Sequence, residues 1–348
     1  MILVRRTTRL RLTHPHTLLV TAALGHGAQA RTAWDAWRDL IDVDTLDQAS
    51  LEMLPLLTSN LARVGAEQAT SQRLVGITRQ SWFRNQLLVD AAADAAGRLE
   101  EAGIETMATG GLAAAVVLYP DIGLRTFGRA DLAVRAVPPA RAAAHLVAAG
   151  WSAGGLAGDA AILTDRRGLQ VALGPSALTD HGGAAADLLW AGRHTVTVAE
   201  RRLPVPSLTD TLLMALLEGL RHGRPVELRW IGDAAVALQT HGDRIEWDRL
   251  VGLSRRLERG RRVGAGLTSL VAMLDVTIPP RILDALSGET TGRRERIEHR
   301  LWLQGSPGSR TSALIRHWFR YRRFLPETGN LLGFGRYLRR RIQARSRP

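Results

Sequence analysis

The residues best placed to do chemistry lie between positions 103 and 135, GIETMATGGLAAAVVLYPDIGLRTFGRADLAVR. Gly110 and Gly111 fall where a strand-like run meets a helix-like run, a junction at which backbone N–H groups can face an anion. In the next strand-like run Arg129, Asp131 and Ala133 alternate onto one face, and Ala130, Leu132 and Val134 onto the other. Arg125, in the loop before that run, adds a guanidinium suited to phosphate. Asp131 offers one oxygen ligand to a hard cation. Its neighbour Arg129 matches carboxylate geometry instead and favours an ion pair. Two readings therefore stay open at this point, a phosphate-binding face and an ordinary surface ion pair.

The elements that must position these residues are legible in the periodicity. Leu18, Leu19, Ala22 and Ala23 form one helical face near the N-terminus. The same stretch, with an Arg-Arg pair, an apolar run at 17–24 and Ala28-Gln29-Ala30, also mimics a cleavable export signal. From Ala33 to about Leu99 the pattern is helical: Trp34, Trp37, Leu40 and Ile41 recur at helical spacing, as do Leu54, Leu57, Leu61 and Val64. After the central stretch, PPARAAAHLVAAGW reads as a helix started by Pro138 and Pro139. Short strand-like runs follow in AAILTD, GLQVALG and HTVTVAERRLPVP, so a mixed sheet with helices against it is expected. Isolated His181 and His194 read as surface or turn residues. From Ser207 onward the chain is helical again, Ser207 with Asp210 suggesting a capping box.

Taken together these segments resemble uncharacterised bacterial nucleotidyltransferases of the DNA polymerase beta-like superfamily, in which the central stretch reads like AGI…LKG…LA…YP…G…RPMGDIDLLV. Ala102-Gly103-Ile104, Gly110, Leu112-Ala113, Tyr119-Pro120, Gly123, Arg125, Gly128, Asp131, Leu132 and Val134 fall where that pattern places them. MLPLLTSNL, Trp82 with Asn85 (W-x-x-N), TDTLLMALLEGL and RWIGDAAVAL extend the likeness, which runs from about residue 17 to residue 300. Within the last of these, Arg229, Trp230 and Asp233 are cleft candidates, or else an Arg–Asp pair that holds two helices together. Trp82 and Asn85 read as core packing plus one satisfied amide. The resemblance implies an α+β fold, a nucleotidyltransferase-like mixed β-sheet core flanked by N- and C-terminal helical regions. Its expected divisions are 1–98 (helical), 99–205 (α/β core), 206–305 (helical) and 306–348 (a basic aromatic tail).

Three charged positions depart from the pattern. The lysine of LKG is Thr109, the first aspartate of the DID core is Arg129, and a carboxylate of the later VDLHW-like strand corresponds to Ala172. In the superfamily divalent metals bridge triphosphate and nucleophile, and carboxylates at i and i+2 cradle them. A guanidinium in that cradle implies a degenerate copy without metal-dependent catalysis, with Asp131 the one retained carboxylate of the motif. Thr109, Gly110, Gly111, Arg125 and Arg129 remain as nucleotide- or phosphate-binding residues, and no cofactor is expected. The partner would be a nucleotide, or a protein or peptide of a natural-product or surface-polysaccharide pathway. The alternative is an active enzyme using Mg2+ and an NTP. Asp131 would then hold one metal with help from Asp121, Asp159 or Asp165, while Arg125 and Arg129 clamp the triphosphate.

Composition bounds the remaining possibilities. The 348 residues carry no cysteine, which excludes disulfides, thiolate metal sites and a cysteine nucleophile and fits a cytoplasmic protein. No apolar run is long enough to span a bilayer. The formal net charge is +13 and every basic side chain apart from histidine is arginine. Much of that excess lies in the tail, where Trp318, Phe319, Tyr321, Phe324, Phe334 and Tyr337 interleave with arginines. Such a tail suits nucleic acid or an anionic membrane surface, or else covers the helical region with its rings while its arginines stay solvated.

Overall fold

The computed structural model describes residues 12–42, 45–66, 72–157, 159–175, 183–198, 200–220, 227–287 and 292–303, with short stretches at 314, 317–319, 321–322 and 333–339. His181, Phe324 and most of the basic tail lie outside the described residues. The fold is α+β, a mixed sheet preceded and followed by helices.

Four helices come first: α1 (His14–Leu24), α2 (Gly27–Leu40), α3 (Gln48–Arg63) and α4 (Gln72–Glu101). The signal-like run at 17–24 is helical, with Leu19, Ala22 and Ala23 buried, and Ala30 of the cleavage-like triplet is buried inside α2. The side chains of Thr13 and Asp47 accept hydrogen bonds from the backbone N–H groups of His16 and Ser50, which fixes where α1 and α3 begin. Trp34 and Trp37 are buried as their spacing predicts; Leu40, expected on the same face, ends its helix exposed.

The central region runs β1 (Thr106–Thr109), α5 (Gly110–Val117), β2 (Ala130–Val134), α6 (Pro139–Ala148), β3 (Ser152–Ala157), β4 (Ala160–Thr164), β5 (Gln170–Pro175), α7 (Gly183–Ala191), β6 (His194–Val198) and β7 (Arg201–Val205). Strands β1 to β5 form one sheet in the order β1-β2-β5-β4-β3, with β2 and β5 parallel and the other neighbours antiparallel. β6 and β7 pair as a separate ribbon. The alternation in β2 sorts its side chains as expected. Ala130, Leu132 and Val134 enter a core with Leu88 to Leu99 of α4 and Leu146 of α6, while Ala133 joins Met107 in a second, larger core.

That larger core also unites α1, α2 and α3 with the C-terminal helices α8 (Leu208–Gly219), α9 (Arg229–His241), α10 (Trp247–Arg256), α11 (Gly260–Met273) and α12 (Pro280–Ser287). Helix α13 (Arg293–Leu303) adds Trp302. Ser207 caps α8 by accepting from the Asp210 N–H, 3.1 Å away. Asp210 does not close a capping box, because its fully buried carboxylate takes two hydrogen bonds from Arg249 of α10, at 2.8 and 2.7 Å. Among the described tail residues, the rings of Trp318, Tyr321, Phe334 and Tyr337 pack on one another. Phe319 meets the Arg294 guanidinium of α13. No helix among the described residues is long and apolar enough to cross a membrane.

The contact that brings α8 against α9 is unusually close: a Cβ built on Gly219 would lie 1.9 Å from the Trp230 ring. Gly219→Ala must therefore push Trp230 aside. We expect it to lower stability by about 1–3 kcal/mol or more, the usual cost of overpacking, as read by urea denaturation.

Candidate functional site

A cleft of about 700 Å3 opens between the sheet and the α8–α9 pair, and all nine site residues predicted from the sequence line it. From the sheet come Thr109 and Asp131; from the N-terminus of α5 come Gly110 and Gly111; from the loop before β2 come Arg125 and Arg129; from α9 come Arg229, Trp230 and Asp233. Gly110 opens α5 with φ +58°, and a Cβ there would stand 3.1 Å from Asp131 Oδ2, so the turn needs glycine on both conformational and steric grounds. A Cβ on Gly111 would meet Phe127 at 2.8 Å.

Register explains which groups meet on the cleft face. Across neighbouring strands Thr109 is paired with Asp131, and Asp131 with Ala172. The position opposite Asp131 in the parallel pair therefore carries a methyl group. Arg129 Nε donates to Asp131 Oδ1 at 2.9 Å. Burial pushes the Asp131 carboxyl above its usual range, and the Arg129 guanidinium only partly opposes this. The Thr109 hydroxyl donates to the Asp131 carbonyl at 3.3 Å. A divalent cation needs several oxygen ligands. A guanidinium and a methyl group in place of two carboxylates do not fit one here.

Two of the three arginines meet partners that the sequence reading did not assign. Asp233 does not pair with Arg229. It accepts from Arg125 Nε at 2.7 Å and Nη2 at 2.9 Å, and from the Tyr119 hydroxyl at 2.8 Å, all of them buried. Arg125 also donates through Nη1 to the Thr126 carbonyl at 2.6 Å. Burial opposes the Arg125 charge, but the adjoining Asp233 carboxylate outweighs it and raises the pKa; burial likewise pushes the Tyr119 hydroxyl well up. Arg229 pairs instead with Glu52 of α3 at 2.9 Å and with Glu227 at 3.6 Å. Glu52 carried no signal in the sequence, since nothing local marks a helix residue whose partner lies far along the chain.

The satisfied amide expected at Asn85 is present, whereas the readings of Trp82 and of the loop carboxylates need correction. Asn85 is buried and its amide nitrogen donates to the carbonyls of Ile122 and Arg125, at 2.6 and 2.9 Å, so it clamps the loop that carries Arg125. Trp82 is not core: it is 45% exposed and lies against Gly123, where a Cβ would come within 2.8 Å of it. The loop carboxylates proposed as extra metal ligands also lie elsewhere. Asp121 accepts from the Gly123 N–H and caps its own turn, Asp165 is tied to Arg167 and Leu169, and Asp159 sits exposed before β4. The described carboxylates that line the cleft are Asp131, Glu218, Glu227 and Asp233.

The profile of a family described as uncharacterised nucleotidyltransferase matches residues 26–275, and the chain belongs to that family. A solved structure, an antigenic nucleotidyltransferase-like protein from Paracoccidioides brasiliensis, is similar at 18% identity and TM-score 0.39, over 57% of this chain and 91% of that one. No curated protein matches the sequence.

Two predictions follow from the charges. Asp233→Ala leaves the buried Arg125 guanidinium uncompensated and should cost about 3–5 kcal/mol in urea denaturation. Asp131 titrates higher folded than its ordinary 3.8, so the unfolded chain ionises first as pH rises. The wild type should lose stability relative to Asp131→Asn from about pH 3.8 up to the raised folded value, then run parallel to it. Denaturation of both proteins at pH 3 and pH 7 checks this sign.

Proposed function

We propose that this protein keeps the nucleotidyltransferase fold for binding and has given up metal-dependent transfer. The observation that carries the reading is the row Arg129, Asp131 and Ala172 on the cleft face, with Arg129 hydrogen-bonded to the one remaining carboxylate of the motif. A guanidinium there supplies positive charge without a metal ion and leaves no cradle for one. The N-terminus of α5 at Gly110-Gly111, with Thr109 before it, offers backbone N–H groups to a phosphate on the same wall.

Arg125 and Arg229 serve this role indirectly. Each is held by a carboxylate of the helical region, Asp233 for one and Glu52 for the other, so they shape the cleft rather than clamp a triphosphate. Arg129 is then the arginine nearest to the ligand, and the ligand is a nucleotide bound without Mg2+. In this reading the protein is a cytoplasmic accessory of a bacterial biosynthetic pathway that makes a peptide natural product or a polysaccharide. A second reading is favoured by the presence of Glu218 and Glu227 in the same cleft as Asp131, an active enzyme with a rearranged carboxylate set.

Calorimetric titration of ATP, GTP, CTP and UTP, each with and without Mg2+, separates these readings. The binding protein should take up at least one nucleotide equally well in EDTA and lose that binding in Arg129→Ala. Binding that requires Mg2+, with nucleotidyl transfer abolished by Asp131→Ala, would establish the second reading instead. No uptake of any nucleotide would overturn both.

A further inference from the structure

The N-terminal half of α4 has no part in the cleft, yet it carries an unusual surface. From Gln72 to Val89 it has three arginines, Arg73, Arg79 and Arg84, and no acidic residue. Phe83 is 61% exposed, Trp82 is nearly half exposed, and Arg79 and Arg84 are exposed beside them. Gly76, Arg79 and Phe83 recur at spacings of three and four, which places them on one strip of the helix. A Cβ on Gly76 would meet nothing within 4 Å, so the strip offers close approach at one end and a bare ring at the other. Arg79 has no carboxylate partner among the described residues, and Arg84 donates only to the Gly128 carbonyl, at 3.1 Å. Gly128 lines the cleft, so Arg84, next to Phe83 on the helix, links the strip to the cleft rim.

We propose that this strip is a docking surface for an acidic protein segment that presents carboxylates to Arg79 and Arg84 and an apolar side chain to Phe83. Phe, Trp and Arg are the residue types that anchor protein interfaces, and an exposed ring flanked by arginines with no carboxylate partner among the described residues is a surface suited to an acidic partner. Charge selects the occupant. The arginine-rich tail of the same chain and a second copy of a protein with net charge +13 would both be repelled. Shape argues against single-stranded nucleic acid, which needs a basic groove with rings arrayed along it. Here Trp82 and Phe83 are consecutive on a convex helix and point about 100° apart.

The test uses the full-length protein and fluorescein-labelled copolymers. Poly(Glu,Tyr) should bind more tightly than poly-Glu, because it offers rings as well as carboxylates. Arg79→Glu combined with Phe83→Ser should weaken poly(Glu,Tyr) binding at least tenfold while leaving the melting temperature in place, since both side chains are exposed. Unchanged binding by the double variant, or no binding by the wild type, would overturn the proposal. A labelled dT20 oligonucleotide that bound more tightly than either copolymer, with the same loss in the variant, would assign the strip to nucleic acid and overturn it too.

Discussion

A buried carboxylate holds this molecule together at the place where function would arise. Asp233 takes both Nε and Nη2 of Arg125 and the hydroxyl of Tyr119, and so ties the loop before β2 to a helix of the C-terminal region. In a low-dielectric setting such a network stabilises only when every member is satisfied. Here Arg125 has Thr126 for its third donor, and Asn85 fastens the same loop from the other side. This junction bridges two walls of the cleft, the loop before β2 on one side and α9 on the other.

The same junction changes the meaning of the arginine at 125. A guanidinium gripped along one edge, through Nε and Nη2, by a buried carboxylate is a structural cation, whatever its position in a binding motif suggests. Arg229 has a similar assignment with Glu52. The cleft lining thus sets three arginines against four carboxylates, and Arg129, the arginine not held by a carboxylate of the helical region, lies on the same wall as the Gly110-Gly111 turn. That local arrangement decides what the wall can hold.

Much of the fold was legible in the residues. Helical spacing marked α2, α3 and α4, alternation marked β2, and Ser207 marked the start of α8, because each is governed by contacts within a few positions. Strand β3 was missed: Ser152 to Ala157 is small, exposed and broken by a register shift, so it lacks both β-branched residues and alternation. The cleft residues were found as a set, since they cluster in motifs. Their partners were not, because Asp233 could face either of two arginines and only the packing of α9 chose Arg125 over Arg229. Trp82 was misread for the opposite reason, as a large ring inside a motif gives no sign that its outer face meets solvent.

The separation along the chain of the groups in that junction has a consequence for how the protein is made. Arg125 precedes its counterion by 108 residues and Tyr119 by 114. At the usual pace of synthesis, Asp233 follows Arg125 out of the ribosome by roughly five to twenty seconds. The β3–β4–β5 meander can form in that interval from local pairings. Until α9 arrives, the nascent chain lacks the carboxylate that Arg125 pairs with in the folded protein. Closure of the cleft is therefore a late step in biogenesis, and it is timed by translation of the helical region.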